Sequence, residues 1–130
     1  MELNGTEVDL INQIAKKHKK EIKYGDWYEF KGRLYLYKNN HPLDLEISLN
    51  CIPVWTVADC LKFVKDNNYY YSIYDQVGGG TVIDIFILVN GSRQMQEQLH
   101  GGTLLEACLL AVLVILQDNE ILKSSGIIRK

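Results

Sequence analysis

A glycine-rich segment near the C-terminal end carries the residues best suited to binding an anion. Gly101, Gly102 and Thr103 come directly before a predicted helix. The first backbone N–H groups of a helix have no partner within it, and the helix dipole favours negative charge at that end. Arg93 and His100, in the preceding polar segment, would add positive charge. We therefore predict a site for a small anionic, nucleotide-like ligand here, with an ordinary helix cap as the alternative.

Tyrosine is the most unusual feature of the composition, with eight residues in the chain. Tyr69 and Tyr71 belong to a tyrosine-rich run in a predicted strand, where alternate rings point to opposite faces. A tyrosine ring can stack on a flat ligand or anchor a protein partner. We add Tyr69 and Tyr71 to the predicted ligand-binding residues, with core and edge packing as the alternative.

Other residues with catalytic or metal-binding chemistry lack the spacing that such chemistry needs. The three cysteines, Cys51, Cys60 and Cys108, include no closely spaced pair and are predicted to be reduced thiols, at least two of them buried. No two histidines or acids have a metal-binding spacing, and there is no Gly-x-Ser-x-Gly nucleophile motif. We therefore expect no catalytic residue, no enzyme activity, no metal and no cofactor.

Length, composition and charge place the chain among soluble globular proteins. Its 130 residues predict a single domain over residues 1–130, with 47% hydrophobic and 23% charged residues. The net charge of -2 gives no overall field that would attract nucleic acid or an acidic membrane. The longest apolar stretch, Leu104–Leu116, is shorter than the roughly 20 residues of a membrane span. Since the N-terminus also lacks a signal peptide, we predict a cytoplasmic protein with no membrane partner.

The elements predicted for the first half of the chain contain none of the predicted ligand-binding residues. A helix is predicted from an N-cap at Thr6 to a stop at Gly25, with the Lys16–Lys23 cluster as its solvated end or, alternatively, a nucleic-acid patch. A hairpin is predicted around Lys31-Gly32, followed by a turn at residues 39–42. The strict alternation of apolar and polar residues over 43–50 predicts a half-buried strand or an extended segment on the core.

The second half of the chain contains the elements that would carry the site. A capped helix over residues 56–66 precedes a β-hairpin of Tyr69–Tyr74 and Thr81–Val89, with Gly78–Gly80 as its turn. Because both faces of Thr81–Val89 are apolar, both should be covered. A polar loop over residues 90–102 and a long helix from Thr103 follow. The sequence predicts an α+β fold, a mainly antiparallel sheet of three to five strands sandwiched between helices.

The polar stripe of the last helix is interrupted by two leucines. Leu110 and Leu113 share a face with Glu106 and Gln117 by helical periodicity. Burying each leucine is worth roughly 1.5–3 kcal/mol, so an uncovered pair is unfavourable. We predict that another helix of the chain or a second subunit covers Leu110 and Leu113, and hence a homodimer or higher homo-oligomer.

Two capped helix starts carry a resemblance to a known family. The segment Pro53–Asp59 opens the middle helix, and Gly102–Ala107 opens the last one. In this order, with a tyrosine-rich strand, a glycine turn and an apolar strand between them, residues 53–117 resemble the phage ABA sandwich domain family. The resemblance implies a small phage- or prophage-encoded protein with a sheet between helical layers. It implies no enzyme chemistry, so no catalytic residue is carried over.

Three functions are compatible with these observations. The first is a non-enzymatic phage accessory protein that sequesters a small nucleotide-like anion to counter host defence. The second is a protein-binding inhibitor of a host enzyme, for which the tyrosines and the Leu110/Leu113 face are the candidate surface. The third, a small enzyme or a nucleic-acid-binding protein, would need an acid–base pair or a basic patch with aromatics that the sequence lacks.

Overall fold

The computed structural model describes residues 2–38 and 43–124. The α+β class is confirmed, because these residues form four helices and two three-stranded antiparallel sheets packed against helices. The chain divides into two compact units, Met1–Trp55 and Thr56–Lys130. The single domain over residues 1–130 stays a prediction, and the turn predicted at residues 39–42 lies outside the described residues.

The first unit contains α1 (Gly5–Ala15), β1 (Trp27–Phe30), β2 (Arg33–Leu36), α2 (Leu45–Asn50) and β3 (Ile52–Pro53). Its sheet has the strand order β2-β1-β3. Lys31 and Gly32 have φ values of 51° and 80°. A two-residue hairpin turn of type I′ needs positive φ at both positions, so the predicted hairpin is confirmed. Across it, the rings of Tyr28 and Tyr35 stack with their centroids 5.6 Å apart.

The first helix begins earlier and ends sooner than predicted. Its N-cap is Asn4 rather than Thr6: the Asn4 side chain accepts the Glu7 N–H at 2.7 Å, and the Glu7 carboxylate accepts the Asn4 N–H at 2.8 Å. The helix ends at Ala15, so the predicted continuation towards Gly25 is wrong. Lysines at positions 16, 17, 19 and 20 place like charges three and four residues apart, which disfavours a further helical turn.

Residues 45–50 form helix α2, where the alternating pattern predicts a strand. The Asp44 side chain caps the helix by accepting the Glu46 N–H at 2.9 Å. Alternation predicts a strand only if the apolar positions face a core. Leu45 and Leu49 are instead 73% and 67% exposed. With no burial to favour a strand, the local cap determines the conformation.

The second unit contains α3 (Val57–Asp66), β4 (Tyr70–Asp75), β5 (Thr81–Val89), β6 (Ser92–Gly101) and α4 (Leu104–Ser124). Its strand order is β4-β5-β6. The predicted hairpin is confirmed, since β4 and β5 pair from Tyr70 opposite Phe86 to Asp75 opposite Thr81. The Gly78–Gly80 run reverses the chain with φ values of 94°, 108° and 90°.

The polar loop predicted over residues 90–102 is wrong for most of its length. Asn90 and Gly91, with φ values of 51° and 81°, form a second two-residue turn, and Ser92–Gly101 returns as β6 beside β5. β6 is an edge strand of its sheet, and most of its side chains are exposed. Such a strand needs no alternation of apolar and polar residues, so the periodicity could not reveal it.

The two helices of this unit begin at the predicted caps. Thr56 Oγ1 accepts the Asp59 N–H at 3.2 Å, and Thr103 Oγ1 accepts the Glu106 N–H at 3.1 Å. Each cap satisfies one of the N–H groups that a helix start leaves unpaired. Within the described parts of the chain, no helix is both long and apolar enough to cross a membrane.

Helices α3 and α4 cover one and the same face of the β4-β5-β6 sheet. A Cβ on Gly101 would meet the backbone of Ala107 in α4, and the Lys65 ammonium of α3 lies 5.7 Å from the centroid of the Tyr71 ring. Gly101 and Tyr71 have partners four residues apart on β5, so both point to this face. The fully buried side chains of the sheet and the two helices include Ile83, Ile85, Val64, Leu109 and Val112.

Candidate functional site

The structure does not bring the predicted anion-binding residues together. His100 lies on β6 rather than in a loop, and its side chain points to the sheet face away from α4, with Nδ1 3.3 Å from Gln76 Oε1. Arg93 lies near the other end of β6, roughly 20 Å from His100 at about 3.3 Å per residue. Arg93 and His100 therefore share a sheet face with each other but not with the mouth of α4.

A carboxylate of the chain already lies at the N-terminus of α4. Glu106 is only 8% exposed, and its Oε2 lies 2.8 Å from where a Cβ on Gly102 would stand. This negative charge satisfies the positive end of the helix and would repel a second anion. Gly101 allows the close approach of α4, and Thr103 caps the helix. Gly101, Gly102 and Thr103 thus have the geometry of an ordinary helix cap.

The two tyrosines predicted to bind ligand do not form an exposed pair. Tyr69 is 4% exposed and belongs to the core. Tyr71 is half-buried on the helix-covered face, beside Lys65. Tyr70 and Tyr74, on the opposite face of β4 from Tyr71, are 49% and 44% exposed.

Tyr70 and Tyr74 lie on the face of the β4-β5-β6 sheet that α3 and α4 do not cover, which we call the open sheet face. The strand registers place on it Tyr70, Ser72, Tyr74, Val82, Asp84, Phe86, Leu88, Arg93, Met95, Gln98 and His100. The β5–β6 register shifts between Ile85 and Phe86, where Gln96 is the extra residue on β6. On the open sheet face Val82 and Phe86 are buried and Asp84 is half-buried, although α3 and α4 cover only the opposite face of β5.

One half of the open sheet face is built around Phe86. The Tyr70 ring stacks on Phe86 at 5.8 Å between centroids and 18° between planes, and the Arg93 guanidinium lies 4.4 Å from the Phe86 centroid. Arg93 also reaches Ser72, with Nη1 3.3 Å from Oγ. Phe86 is therefore 5% exposed although no helix of its unit covers it. Met95 and Tyr70 remain about half exposed beside it, at 54% and 49%.

The other half of the face is a hydrogen-bonded cluster around Asp84. Gln98 Nε2 donates to Asp84 Oδ1 at 3.0 Å and to the Tyr74 hydroxyl at 2.9 Å, and that hydroxyl lies 3.4 Å from Asp84 Oδ1. Desolvation and the Asp84 carboxylate together raise the pKa of Tyr74 above its ordinary value. The hydrogen bonds of this cluster orient the Tyr74 side chain at the surface.

The two leucines predicted to form a subunit interface are not an uncovered pair. Leu113 is 5% exposed within the chain, and Leu110 is half-buried. Within the chain itself Leu113 is already buried, so only the exposed part of Leu110 is left for a second subunit to cover. The homo-oligomer stays a prediction, without the exposed leucine pair on which it was based.

The three cysteines are buried free thiols, as predicted. Burial raises the pKa of Cys108 to about 11. Burial also raises the pKa of Cys51, and the Lys19 ammonium opposes that rise only in part. Neither thiol is activated as a nucleophile. The described residues contain no cluster of three or more histidine, cysteine or acidic side chains that could hold a metal ion.

The first unit contains a second candidate site, a cavity of about 400 Å³. Two lysines of the Lys16–Lys23 cluster, which follows the end of α1, line this cavity. The residues that line it are Lys19, Lys20, Glu21, Ile22, Tyr37, Leu43, Ser48 and Cys51. Its volume falls within the range of roughly 300–1,000 Å³ that is usual for small-molecule pockets. Sequence reasoning missed this site because it assigned the lysines to a solvated helix end.

The open sheet face, by contrast, could have been found from the sequence. The hairpin turn at Gly78–Gly80 sets the register that pairs Tyr70 with Phe86 and Ser72 with Asp84. Asp84 is the one polar residue within the apolar strand over 82–89, which marks its face as the exposed one. That mark selects Tyr70 and Tyr74 rather than Tyr69 and Tyr71.

Comparisons of the chain with protein families, curated proteins and solved structures find no match.

Proposed function

We propose that this protein is a non-enzymatic binding module that holds a protein partner on the open sheet face. The observation that carries the proposal is the group formed by Tyr70, Phe86, Arg93 and Met95, in which exposed apolar side chains surround an oriented cation. Tyrosine, methionine and arginine are enriched at protein interfaces, and tyrosine and arginine also dominate binding hot spots. Ring stacking and a hydrogen bond to Ser72 fix Tyr70, Phe86 and Arg93 before any partner binds, which lowers the entropic cost of association.

The shape and charge of this face favour a protein over other ligands. Small molecules usually bind in concave pockets, whereas this face is the surface of a three-stranded sheet. Nucleic-acid binding needs several cations along the phosphate backbone. Among the residues of the open sheet face, Arg93 is the one permanent cation, and Asp84 opposes it.

The partner's own chemistry follows from the Arg93 guanidinium. Arg93 contacts an aromatic ring and a hydroxyl, and none of its described contacts is with a carboxylate. A partner surface with a carboxylate opposite Arg93 would form an ion pair with the guanidinium. Apolar side chains of the same partner would bury the exposed surface of Tyr70 and Met95. Inhibition of a host enzyme is the form of such binding that fits the phage setting implied by the resemblance of residues 53–117.

A small nucleotide-like anion, bound to counter host defence, is the second candidate function. The observation in its favour is the lysine-lined cavity of the first unit and not the mouth of α4, where Glu106 already lies. A cytoplasmic setting and a homo-oligomer are compatible with both functions and stay proposals. A plaque assay on defended and undefended host strains, with and without the expressed protein, tests the counter-defence role. Equal plaque numbers in all four conditions would count against that role.

The partner hypothesis is tested with paired variants in quantitative affinity purification from cells that carry the gene. The test variant is Tyr70→Ser combined with Met95→Ser. The matched control is Tyr24→Ser, which removes a tyrosine 66% exposed in the first unit. Any protein enriched with the wild type and the control, and lost with the test variant, is purified and titrated against all three chains by calorimetry.

The expected result is a direct complex that the control retains and the test variant weakens by at least about tenfold, the equivalent of 1.4 kcal/mol. Thermal unfolding of each variant verifies that the fold is intact. Equal binding by the test variant and the wild type, or no direct complex with any enriched protein, would show that the open sheet face is not the binding surface.

A further inference from the structure

We propose that the cavity of the first unit binds a small organic acid, with the anionic head at Lys19 and a compact apolar body against Ile22 and Leu43. This site is independent of the proposed partner surface, because all its residues belong to the first unit. It concerns a ligand with a carboxylate or a phosphate monoester head. The lining of the cavity combines the cationic, hydroxyl and apolar groups that such a ligand needs.

Lys19 is held in place by the chain and keeps donors for a ligand. Its Nζ donates to the Ser48 carbonyl oxygen at 2.6 Å, near the C-terminal end of α2. An ammonium group has three N–H donors, so two are left after this bond. No carboxylate is paired with Lys19 among the described residues. The contact with Ser48 therefore orients the ammonium without neutralising it.

Lys20 is a second cation of the lining, and it is paired with a carboxylate. Its side chain is 14% exposed, and its Nζ lies 3.8 Å from Asp26 Oδ2. That separation is longer than a hydrogen bond but short enough for electrostatic attraction. Glu21, also in the lining, is exposed. Because Lys20 is paired with Asp26, the anionic head of the ligand is assigned to Lys19 and not to Lys20.

The rest of the lining explains why the ligand should be more than an inorganic ion. Ile22, Tyr37 and Leu43 are half-buried, and Cys51 is 5% exposed. These side chains provide apolar surface that a phosphate ion would leave in contact with water. An aromatic or aliphatic body attached to the anionic head would cover it. The cavity therefore favours an organic acid over the free anion.

Cys51 provides a direct measure of occupancy. It lines the cavity, whereas Cys60 and Cys108 are fully buried, and neither is among the lining residues. The rate of Cys51 alkylation by iodoacetamide is measured by mass spectrometry, with Cys51→Ala as the background. The probes are benzoate, phenyl phosphate, adenosine monophosphate and inorganic phosphate, with benzamide as the neutral counterpart of benzoate. The same probes are titrated by calorimetry, so that slow alkylation does not leave the site untested.

We expect benzoate or phenyl phosphate to slow alkylation several-fold and benzamide to leave it unchanged. Lys19→Gln should weaken binding of the effective probe by roughly tenfold to a hundredfold, since it removes a charge-assisted hydrogen bond. Lys16→Gln, in the same cluster but outside the lining, is the matched control and should have no such effect. Protection by adenosine monophosphate would identify the ligand class as nucleotide-like, and protection by benzoate alone would identify it as a carboxylate.

Three results would overturn the proposal. The first is the absence of both protection and binding heat with every probe at millimolar concentration. The second is equal protection by benzamide and benzoate, which would show that the cavity does not recognise the anionic head of the ligand. The third is equal weakening by Lys16→Gln and Lys19→Gln, which would indicate a general electrostatic effect. None of these results depends on whether a protein partner binds the open sheet face.

Discussion

The two faces of the β4-β5-β6 sheet are formed by the same three strands but have different chemistry. The helix-covered face places Ile83 and Ile85, at most 1% exposed, beneath α3 and α4. On the open sheet face the corresponding β5 residues are Asp84 and Phe86, and no helix of the unit covers them. One face is closed by aliphatic packing, and the other by stacked rings and hydrogen bonds between side chains of the sheet.

This difference separates the origin of stability from the origin of binding. Aliphatic burial under the helices is worth more than the same number of exposed ring and polar contacts. The stacked and hydrogen-bonded side chains of the open sheet face are ordered before a partner binds, which lowers the entropic cost of binding. Variants on the two faces should therefore differ in the property that they change: unfolding free energy on the covered face and affinity on the open one.

The largest expected effect is on the covered face. Ile85→Ala removes a side chain that is 1% exposed and leaves a cavity beneath the helices. We expect the unfolding free energy in urea to fall by about 2–5 kcal/mol. Partner binding by the molecules that remain folded should be unchanged. A loss below 1 kcal/mol would mean that this face is not the principal core of the unit.

The next largest effect is a loss of unfolding free energy at alkaline pH, caused by the buried thiol of Cys108 in α4. Burial of the Cys108 thiol raises its pKa from the ordinary 9.0 to about 11, so the unfolded chain releases this proton before the folded chain does. The stability due to this group is complete below about pH 9 and is lost as the pH rises towards 11. The loss should reach up to roughly 2–3 kcal/mol.

The measurement is urea unfolding at a series of pH values, with Cys108→Ala beside the wild type. The variant should show a smaller decline over this interval because it has no thiol to ionise at that position. Identical declines in both chains would contradict the raised pKa of Cys108.

A third prediction concerns the coupling between the stacked rings of the open face. A double-mutant cycle with Tyr70→Ala and Phe86→Ala should give an interaction free energy of about 0.5–1.5 kcal/mol, as expected for stacked aromatic pairs. A cycle between Tyr70 and Ile83, which point to opposite faces, is the control and should be additive. Additivity in the first cycle would show that the Tyr70–Phe86 stack is not formed in solution.

The smallest stability effect and the sharpest functional one should come from Arg93→Gln. This change removes an exposed cation over the Phe86 ring, worth about 0.5–1 kcal/mol, and a single hydrogen bond to Ser72. It also removes the charge that we propose meets a partner carboxylate, so affinity should fall by at least tenfold. Arg33→Gln, an exposed arginine on β2 of the other unit, is the control. If both variants bind equally, the carboxylate contact is wrong.

The elements that the sequence predicted correctly are those fixed by local signals. The Lys31-Gly32 turn, the glycine turn after β4 and the Thr56 and Thr103 caps need only neighbouring residues, and all are present. The elements that it missed depend on contacts made elsewhere. β6 is a strand because β5 lies beside it, and α2 is a helix because its leucines meet no core.

The candidate sites follow the same rule. Arg93 and His100 are predicted in a loop that brings them to the start of α4, but that segment is β6, which places them far apart along one strand. Tyr69 and Tyr71 were chosen over Tyr70 and Tyr74 because side-chain alternation alone does not say which face a helix covers. The cavity was missed because it depends on the end of α1 at Ala15, which the helical spacing of later residues obscured.

Hydroxyl-radical footprinting, read by mass spectrometry, tests the central claim most directly. Met95, Tyr70 and Tyr74 report on the open sheet face, and Tyr69 reports on the core. We expect heavy oxidation of the first three in the purified protein, little oxidation of Tyr69, and protection of Met95 and Tyr70 once the partner is bound. Oxidation of Met95 and Tyr70 that is unchanged in the complex, or already absent from the purified protein, would contradict the claim that this face is open and binds the partner.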